Sequence, residues 1–392
     1  MNVLVVNAGS SSLKYQLLNT ETREVFAKGN CERIGNPEGG IFGHVEFGSE
    51  KVTETVDMPD HKTAIKLVLD TLAEDEVEIE GIGHRIVQGG WHFPDSALVD
   101  DDVMKKILEV APLAPLHNYA EADVIDYCRA AYPELPNVTV FDTSFHFNIP
   151  EVAHIYSLPR DVREKYHVRK YGAHGTSHRY AWKMASEYLG DKVHKLLSCH
   201  LGNGASLSAI VDGEDMDTTM GLTPLDGLMM GTRCGSIDPA TVCYLQREGG
   251  YTNDEVDDMM NKQSGLLAMS EKTNDTRDIE EAANAGDEKC KLALDMFTYK
   301  ATLNMGEMIA AMEGVDTISF SAGIGENSAT TREAICKRFE WLGVKIDPEK
   351  NAVRSSEVRS IAAPDSKVEV LVIPTDEEYM IALDVKRLVE GK

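Results

Sequence analysis

Two arginines in this chain stand among glycines, Arg85 in GHRIVQGG and Arg233 in GTRCGS. Small neighbours leave a planar guanidinium open to bidentate capture of a carboxylate or a phosphate. His174 and His178 lie in YGAHGTSH. Their four-residue spacing suits a metal on a helix, but the glutamate of H-E-x-x-H is missing and Gly175 puts His174 on a loop. His174 is therefore read as a hydrogen-bond donor to a reacting phosphoryl group, with His178 as a structural partner. His117, beside prolines, reads as a buried and satisfied histidine. Asp142 ends a strand, where it can help hold Mg²⁺ or orient an acceptor. In TDEE, Thr375 and Glu378 fit a capping box, which leaves Glu377 free to act as a metal-shell carboxylate.

These groups need elements to carry them, and the glycine-rich turns supply the first outline. Residues 3–14, VLVVNAGSSSLK, form an apolar run, a turn of small residues and a second strand-like run. Main-chain N–H groups and hydroxyls of Gly9, Ser10, Ser11 and Ser12 can surround an anion there, with Lys14 adding positive charge. Residues 195–211 repeat the plan: set beside VVNAGSSSL, SCHLGNGASL matches with one residue inserted. A third turn, SAGIGEN at 321–327, precedes a helix. None of the three has the Walker pattern, and Ser328 stands where a dinucleotide fingerprint needs its last glycine. Together the turns favour a nucleotide cleft over three unconnected hairpins.

A formal charge of −26, from 39 basic and 65 acidic residues, excludes a nucleic-acid or anionic-membrane surface. An enzyme for anions must then concentrate its few arginines at the site. No apolar run reaches the ~20 residues that span a bilayer, and the N-terminus lacks the marks of a signal peptide. Seven scattered cysteines without a Cys-x-x-Cys pair point to idle or buried thiols in a reducing cytosol.

The remaining pattern is α/β. Strands are expected at 81–90, with Arg85 in the middle and glycines at both ends, and at 137–141, 315–320 and 368–373. Helices are expected at 63–73, 101–110, 120–130, 238–247, 253–262 and 288–312, from 328 to about 342, and from Thr375 onward. Methionines on the long helix 288–312 read as core filling, and the acidic run 74–80 as a solvated loop. The expected division is residues 1–145 with 380–392 as one domain and 146–379 as a nucleotide-binding domain. The matching turns imply two related domains facing a shared cleft.

With these residues in view, the chain resembles the acetokinase (acetate kinase) family, of the acetate and sugar kinase/Hsc70/actin superfamily. The resemblance runs nearly end to end through VLVVNAGSSSLK, GHRIVQGG, APLHN, FDTSFH, YGAHGTSH, CHLGNGASL, MGLTPLDGLMMGTRCGSIDP, AGIGENS and VIPTDEE. It implies two RNase H-like domains with the active cleft between them, and a cytoplasmic homodimer. It also implies reversible phosphoryl transfer from ATP to acetate, with Mg²⁺ as cofactor, Mn²⁺ as a substitute, and ADP as product. Carried over to this sequence, Arg85, Asp142, His174 and Arg233 are catalytic. Arg85, Val87, Leu116, Ala173 and Pro224 line the acyl pocket. Asn7 and Glu377 serve the metal. Ser10, Ser12, Lys14, His200, Gly202, Asn203 and Gly204 meet phosphates or nucleotide, as do Asp275, Thr276, Arg277, Gly323, Ile324, Gly325 and Asn327.

The chain also departs from the family's pattern. Ala173 stands for the usual Phe, which favours propionate or longer acids as the alternative substrate. Thr276 replaces a Phe near the base, Gln88 a common His, residues 119–121 the sequence Pro-Pro-Asn, and Asp376 an Asn. The rival from another class is a nucleotide-gated binding protein without acyl transfer. The arginines, His174 and Glu377 speak against it, because such a switch needs no carboxylate pocket.

Overall fold

Residues 3–6, Val-Leu-Val-Val, are at most 1% exposed, as expected of a strand with neighbours on both edges and packing on both faces. They lie in the first of eight strands that make one sheet: β1 Asn2–Ala8, β2 Ser12–Asn19, β3 Val25–Glu32, β4 Gly40–Glu46, β5 Val52–Val56, β6 Gly81–Ile86, β7 Ala97–Leu98 and β8 Asn137–Phe141. Six more make a second sheet: β9 Lys195–Leu201, β10 Ala205–Val211, β11 Glu214–Thr218, β12 Thr317–Ser321, β13 Arg359–Ser360 and β14 Glu369–Val372. The computed structural model describes residues 1–74 and 77–391. Residues 75 and 76 of the expected acidic loop, and Lys392 of the expected first domain, lie outside them.

The chain divides into two compact units, Met1–Phe147 with Asp376–Lys392, and Asn148–Thr375. The sequence reading cuts at 145/146 and 379/380. The second cut would sever the final helix, Glu377–Val389, from its own first turn. That helix packs on β1, β6 and β8. Gly83 permits the approach, since a Cβ there would come within 2.6 Å of Ile381 Cγ2.

The sheets have related orders. The first runs β5-β4-β3-β2-β1-β6-β8-β7 and the second β11-β10-β9-β12-β14-β13. In each, an antiparallel hairpin (β1–β2, β9–β10) is followed by two parallel neighbours (β6 and β8, β12 and β14). The pairing register puts four residues, 9–12, between the paired Ala8 and Leu13. Three residues, 202–204, separate the paired Leu201 and Ala205. The extra residue thus belongs to the first turn.

One face of the first sheet buries Leu4, Val6, Leu13 and Leu17 under helix His61–Glu74. One face of the second buries Leu197, Leu207, Ile318 and Phe320 with Phe297, Met305, Met308 and Met312. These methionines are core filling, while Leu292 on the same helix is half exposed. The second sheet's other face carries Ser198, His200, Ser206 and Ser319, by the alternation of a strand. Helix Gly175–Leu189 packs there.

Three local expectations change. The final helix is capped by Asp376, whose Oδ1 accepts from Tyr379 N at 3.0 Å. Thr375 is not the cap: its hydroxyl pairs with Ser177 Oγ at 3.0 Å and its N–H donates to Glu326. The expected Thr375–Glu378 box is therefore absent, and Asp376 caps the helix in its place. The turn at 321–327 is itself the helical segment Ala322–Asn327. The helix expected through 342 spans only Ala329–Lys337, started by Ser328 accepting from Thr331 N.

Among the described residues, no helix is long and apolar enough to cross a membrane. No group of three or more His, Cys, Asp or Glu could hold a metal among them. The seven cysteines are free; five are buried, Cys234 is partly covered and Cys243 is exposed.

Candidate active site

In the first unit the strand ends bring four of the expected residues together. Arg85 on β6 donates from Nε and Nη2 to the two oxygens of Asp142, at 3.0 and 2.6 Å. Its Nη1 donates to Asn7 Oδ1 at 3.1 Å, and Glu377 Oε2 lies 3.9 Å from Nε. Asn7 reaches this point because β1 and β6 run parallel in register. Glu377 reaches it because it opens the helix laid across those strands. Burial opposes the Arg85 charge, but Asp142 and Glu377 outweigh it and raise the guanidinium's pKa. Burial also pushes the Glu377 carboxyl up, to about 7, against the pull of Arg85 and with Asp142 and Glu378 adding repulsion.

A fifth residue in this unit escaped the sequence reading. Glu121, 2% exposed at the start of helix Asn118–Ala131, accepts from the Val87 N–H with both oxygens, at 3.3 and 3.2 Å. Asn118 holds the next residue, bonding both N and O of Gln88. Burial raises the Glu121 carboxyl well above its usual range, although Arg85 opposes the shift. Spacing offered one signal: residues 118 and 121 share a helix face. What that face would meet was not legible. Val87 is buried, whereas Leu116 is 59% exposed. In the first turn Gly9 N bonds Ser12 O at 2.8 Å, and Ser10 and Lys14 are exposed.

The second unit gathers a different set. His174 is the N-cap residue of helix Gly175–Leu189 with φ of 59°, a left-handed conformation that costs roughly 1–2 kcal/mol in a non-glycine residue. Its Nδ1 lies 2.8 Å from Ser206 Oγ, and its ring stacks on His200 with centroids 4.1 Å apart. A Cβ built on Gly204 would sit 3.3 Å from His174 Nε2 and 3.5 Å from Arg233 Nη1. Both groups therefore border the space that a glycine keeps open. Arg233 donates to Pro224 O at 3.2 Å and reaches Met230 Sδ at 3.7 Å. Among the described residues no carboxylate pairs with it, and burial lowers its pKa. Ala173 is buried in the unit's core.

Beside this set a cavity of about 980 Å³ is lined by Gly202, Asn203, Asp275, Thr276, Arg277, Gly323, Ile324 and Asn327, all expected at the nucleotide. Glu280, Glu281 and Arg354 also line it and were not foreseen. Asp275 caps helix Thr276–Asn284 and grips the Arg277 guanidinium at 3.0 and 2.5 Å. That hydrogen-bonded pairing holds the Asp275 carboxyl down at about 2. Of the nucleotide and phosphate residues expected in this unit, three are not among the lining. Gly325 packs on Phe320 and gives its carbonyl to Arg332. Gly204 faces His174 and Arg233 instead, and His200 Nδ1 bonds Ser177 Oγ at 2.8 Å. A metal reading of His174 and His178 fails, because both rings converge on Ser206 Oγ.

Comparison with known proteins matches residues 2–383 to the Acetokinase family. The acetate kinase of Thermotoga maritima is 49% identical over 402 residues, covering 100% of this chain and 99% of the relative. That of Caldanaerobacter subterraneus is 49% identical over 401 residues, covering 100% of both. Among solved structures, the Porphyromonas gingivalis acetate kinase has a TM-score of 0.93 at 41% identity, covering 99% of each chain. A propionate kinase from Francisella tularensis has 0.93 at 38% identity, covering 98% of this chain and 99% of its own.

Proposed function

The chain belongs to the acetokinase family, and from that premise we propose that it transfers the terminal phosphoryl group of ATP to acetate, giving acetyl phosphate and ADP, reversibly. The observation that carries the reading is Arg233, a partly buried guanidinium that no carboxylate pairs among the described residues, sharing the space beside Gly204 with His174 Nε2. An uncompensated buried cation is costly. A phosphoryl group whose equatorial oxygens gather charge in the transition state offsets that cost where it speeds the reaction.

The reaction needs little acid–base work. A carboxylate with a pKa near 4–5 is already ionised at pH 7, so its oxygen attacks the γ-phosphorus directly as the bond to the β-phosphate oxygen breaks. Arg233 neutralises the moving phosphoryl group and His174 donates to it. Arg85 has three of its five N–H groups spent on Asp142 and Asn7. The remaining two are available to the acyl carboxylate or the acyl phosphate. Asp142, with both oxygens on Arg85, acts by holding that fork in position rather than by touching substrate. The cavity at Asn203, Asp275 and Ile324 takes the nucleotide.

Mg²⁺ fits the donor set in the first unit, where Asn7 and Glu377 offer oxygen ligands and Glu378 and Asp142 add negative charge that repels the Glu377 carboxylate. Two protein oxygens are typical of an ion that completes its shell with water and substrate phosphates. When bound, Mg²⁺ (or Mn²⁺) supplies charge neutralisation to the phosphates. A cytoplasmic homodimer completes the reading.

Propionate is the second acid that an observation favours. The resemblance implies a ring where Ala173 presents only a methyl group, and a propionate kinase is among the similar structures. The test is to incubate the protein with MgATP and acetate, propionate or butyrate, and trap acyl phosphate with hydroxylamine. Acetohydroxamate is expected, with propionohydroxamate also formed. Folded, ATP-bound protein that yields no hydroxamate from any acid rejects the kinase reading.

A further inference from the structure

The buried face between helix Gly175–Leu189 and the second sheet holds a chain of hydrogen-bonding side chains that phosphoryl transfer does not by itself explain. Ser198 Oγ lies 2.9 Å from His178 Nδ1, His178 Nε2 lies 2.8 Å from Ser206 Oγ, and Ser206 Oγ lies 2.8 Å from His174 Nδ1. Ser206 and His178 are 0% exposed and Ser198 is 1% exposed, so bulk water cannot substitute for any link. The four groups come from three elements: β9, β10 and the helix with its N-cap residue.

The arithmetic of one hydroxyl constrains the chain. Ser206 has a single O–H proton and faces two ring nitrogens, so it donates to one ring and must accept N–H from the other. Two senses are open to neutral rings. In the first, Ser198 donates to His178 Nδ1, His178 Nε2–H donates to Ser206, and Ser206 donates to His174 Nδ1. His174 then carries its proton on Nε2, the atom that faces the opening beside Gly204 and Arg233. In the reverse sense His174 Nδ1–H donates to Ser206, and Nε2 presents a lone pair to any anion at that opening. An anionic ligand is repelled by the second sense and bound by the first. A doubly protonated His174 would also offer Nε2–H, but would set a second positive charge in a partly buried space beside Arg233, which no carboxylate pairs among the described residues.

We propose that Ser206 and His178 are positioning residues that fix the tautomer of His174, so that a neutral imidazole presents Nε2–H to the transferring phosphoryl group. The proposal rests on the reading of His174 as donor. It adds two residues, and a defined direction of hydrogen bonding, to that reading. His200 complements them by holding the ring plane: it stacks on His174 with an interplanar angle of 23° and bonds through Nδ1 to Ser177.

The test is ¹⁵N spectroscopy of histidine-labelled full-length protein, with the His174 signals assigned through a His174→Gln variant. Wild-type protein is expected to carry the neutral-ring proton on Nε2. Ser206→Ala is expected to populate both tautomers and to lower kcat on the order of tenfold or more, with KM for ATP within about twofold. A wild-type proton on Nδ1, or an unchanged Nε2–H signal in Ser206→Ala, overturns the proposal. If Ser206→Ala does not fold, His178→Gln and His178→Leu decide the matter. Gln can still donate to Ser206 and is expected to retain the Nε2–H tautomer, while Leu is expected to mix the two. Equal spectra for Gln and Leu overturn the proposal. The donor reading fails separately, if His174→Ala, which removes every side-chain donor at that position, turns over at the wild-type rate.

Discussion

In the first unit the second cross-strand pair from the hairpin turn is Asn7 with Lys14; in the second unit it is His200 with Ser206. In each unit a helix lies across the sheet and delivers a polar residue from its start, Glu377 in one and His174 in the other. One architecture thus carries two electrostatic designs. The first balances its cation, since Arg85 is bracketed by Asp142, Asn7 and Glu377. The second leaves Arg233 without an acid among the described residues, beside carbonyl and sulfur acceptors. A balanced guanidinium is rigid and pre-aimed. An unbalanced one is a standing demand for an anion.

The sharpest way to break this contrast is to remove each arginine in turn. Arg233→Ala should lower kcat by about 10²–10³-fold, with ATP affinity changed only a few-fold and stability not reduced, since no buried acid is orphaned. Arg85→Ala should also lower turnover, but it strands Asp142, 1% exposed, and should cost about 3–5 kcal/mol in urea unfolding. Equal stability losses in the two variants would end the distinction.

The next effect concerns how the balanced side is held. Glu121→Ala removes the acceptor of the buried Val87 N–H and should destabilise by about 1–3 kcal/mol. Glu121→Gln keeps an amide oxygen and should recover most of that loss. A Gln variant as weak as the Ala variant would show that the carboxyl, rather than the hydrogen bond, is required.

Substrate preference gives a smaller effect. Ala173→Phe should raise the acetate-to-propionate ratio of kcat/KM by roughly tenfold, the scale on which a pocket discriminates one methylene. Unaltered ratios in the hydroxamate assay would remove Ala173 from the acyl pocket. Smallest of all, Asp376→Ala should cost about 1 kcal/mol through its lost cap, while Asp376→Asn should be nearly neutral. A thermal shift for the Asn variant as large as for the Ala variant would mean that the charge at 376, and not its cap, steadies the helix carrying Glu377.

Much of this molecule was legible in the chain. Apolar runs of four to six residues ending in Gly and Ser mark strands and turns because backbone sterics and side-chain burial act over a few residues. The glycine-flanked arginines and the strand-terminal Asp142 were visible for the same reason, as was the repeated hairpin. Partner choice was not. Thr375 and Glu378 satisfied the capping pattern, yet Asp376 makes the cap because Thr375 is drawn to Ser177 and Glu326. Asp142 could be placed at a strand end from the chain alone, but not its pairing through both oxygens with an arginine 57 positions away. Ser206 looked like one more small turn residue until two imidazoles met on its single hydroxyl. A buried polar group must be satisfied by whatever polar atom folding brings within about 3 Å, and only the packed strands and helices decide which atom that is.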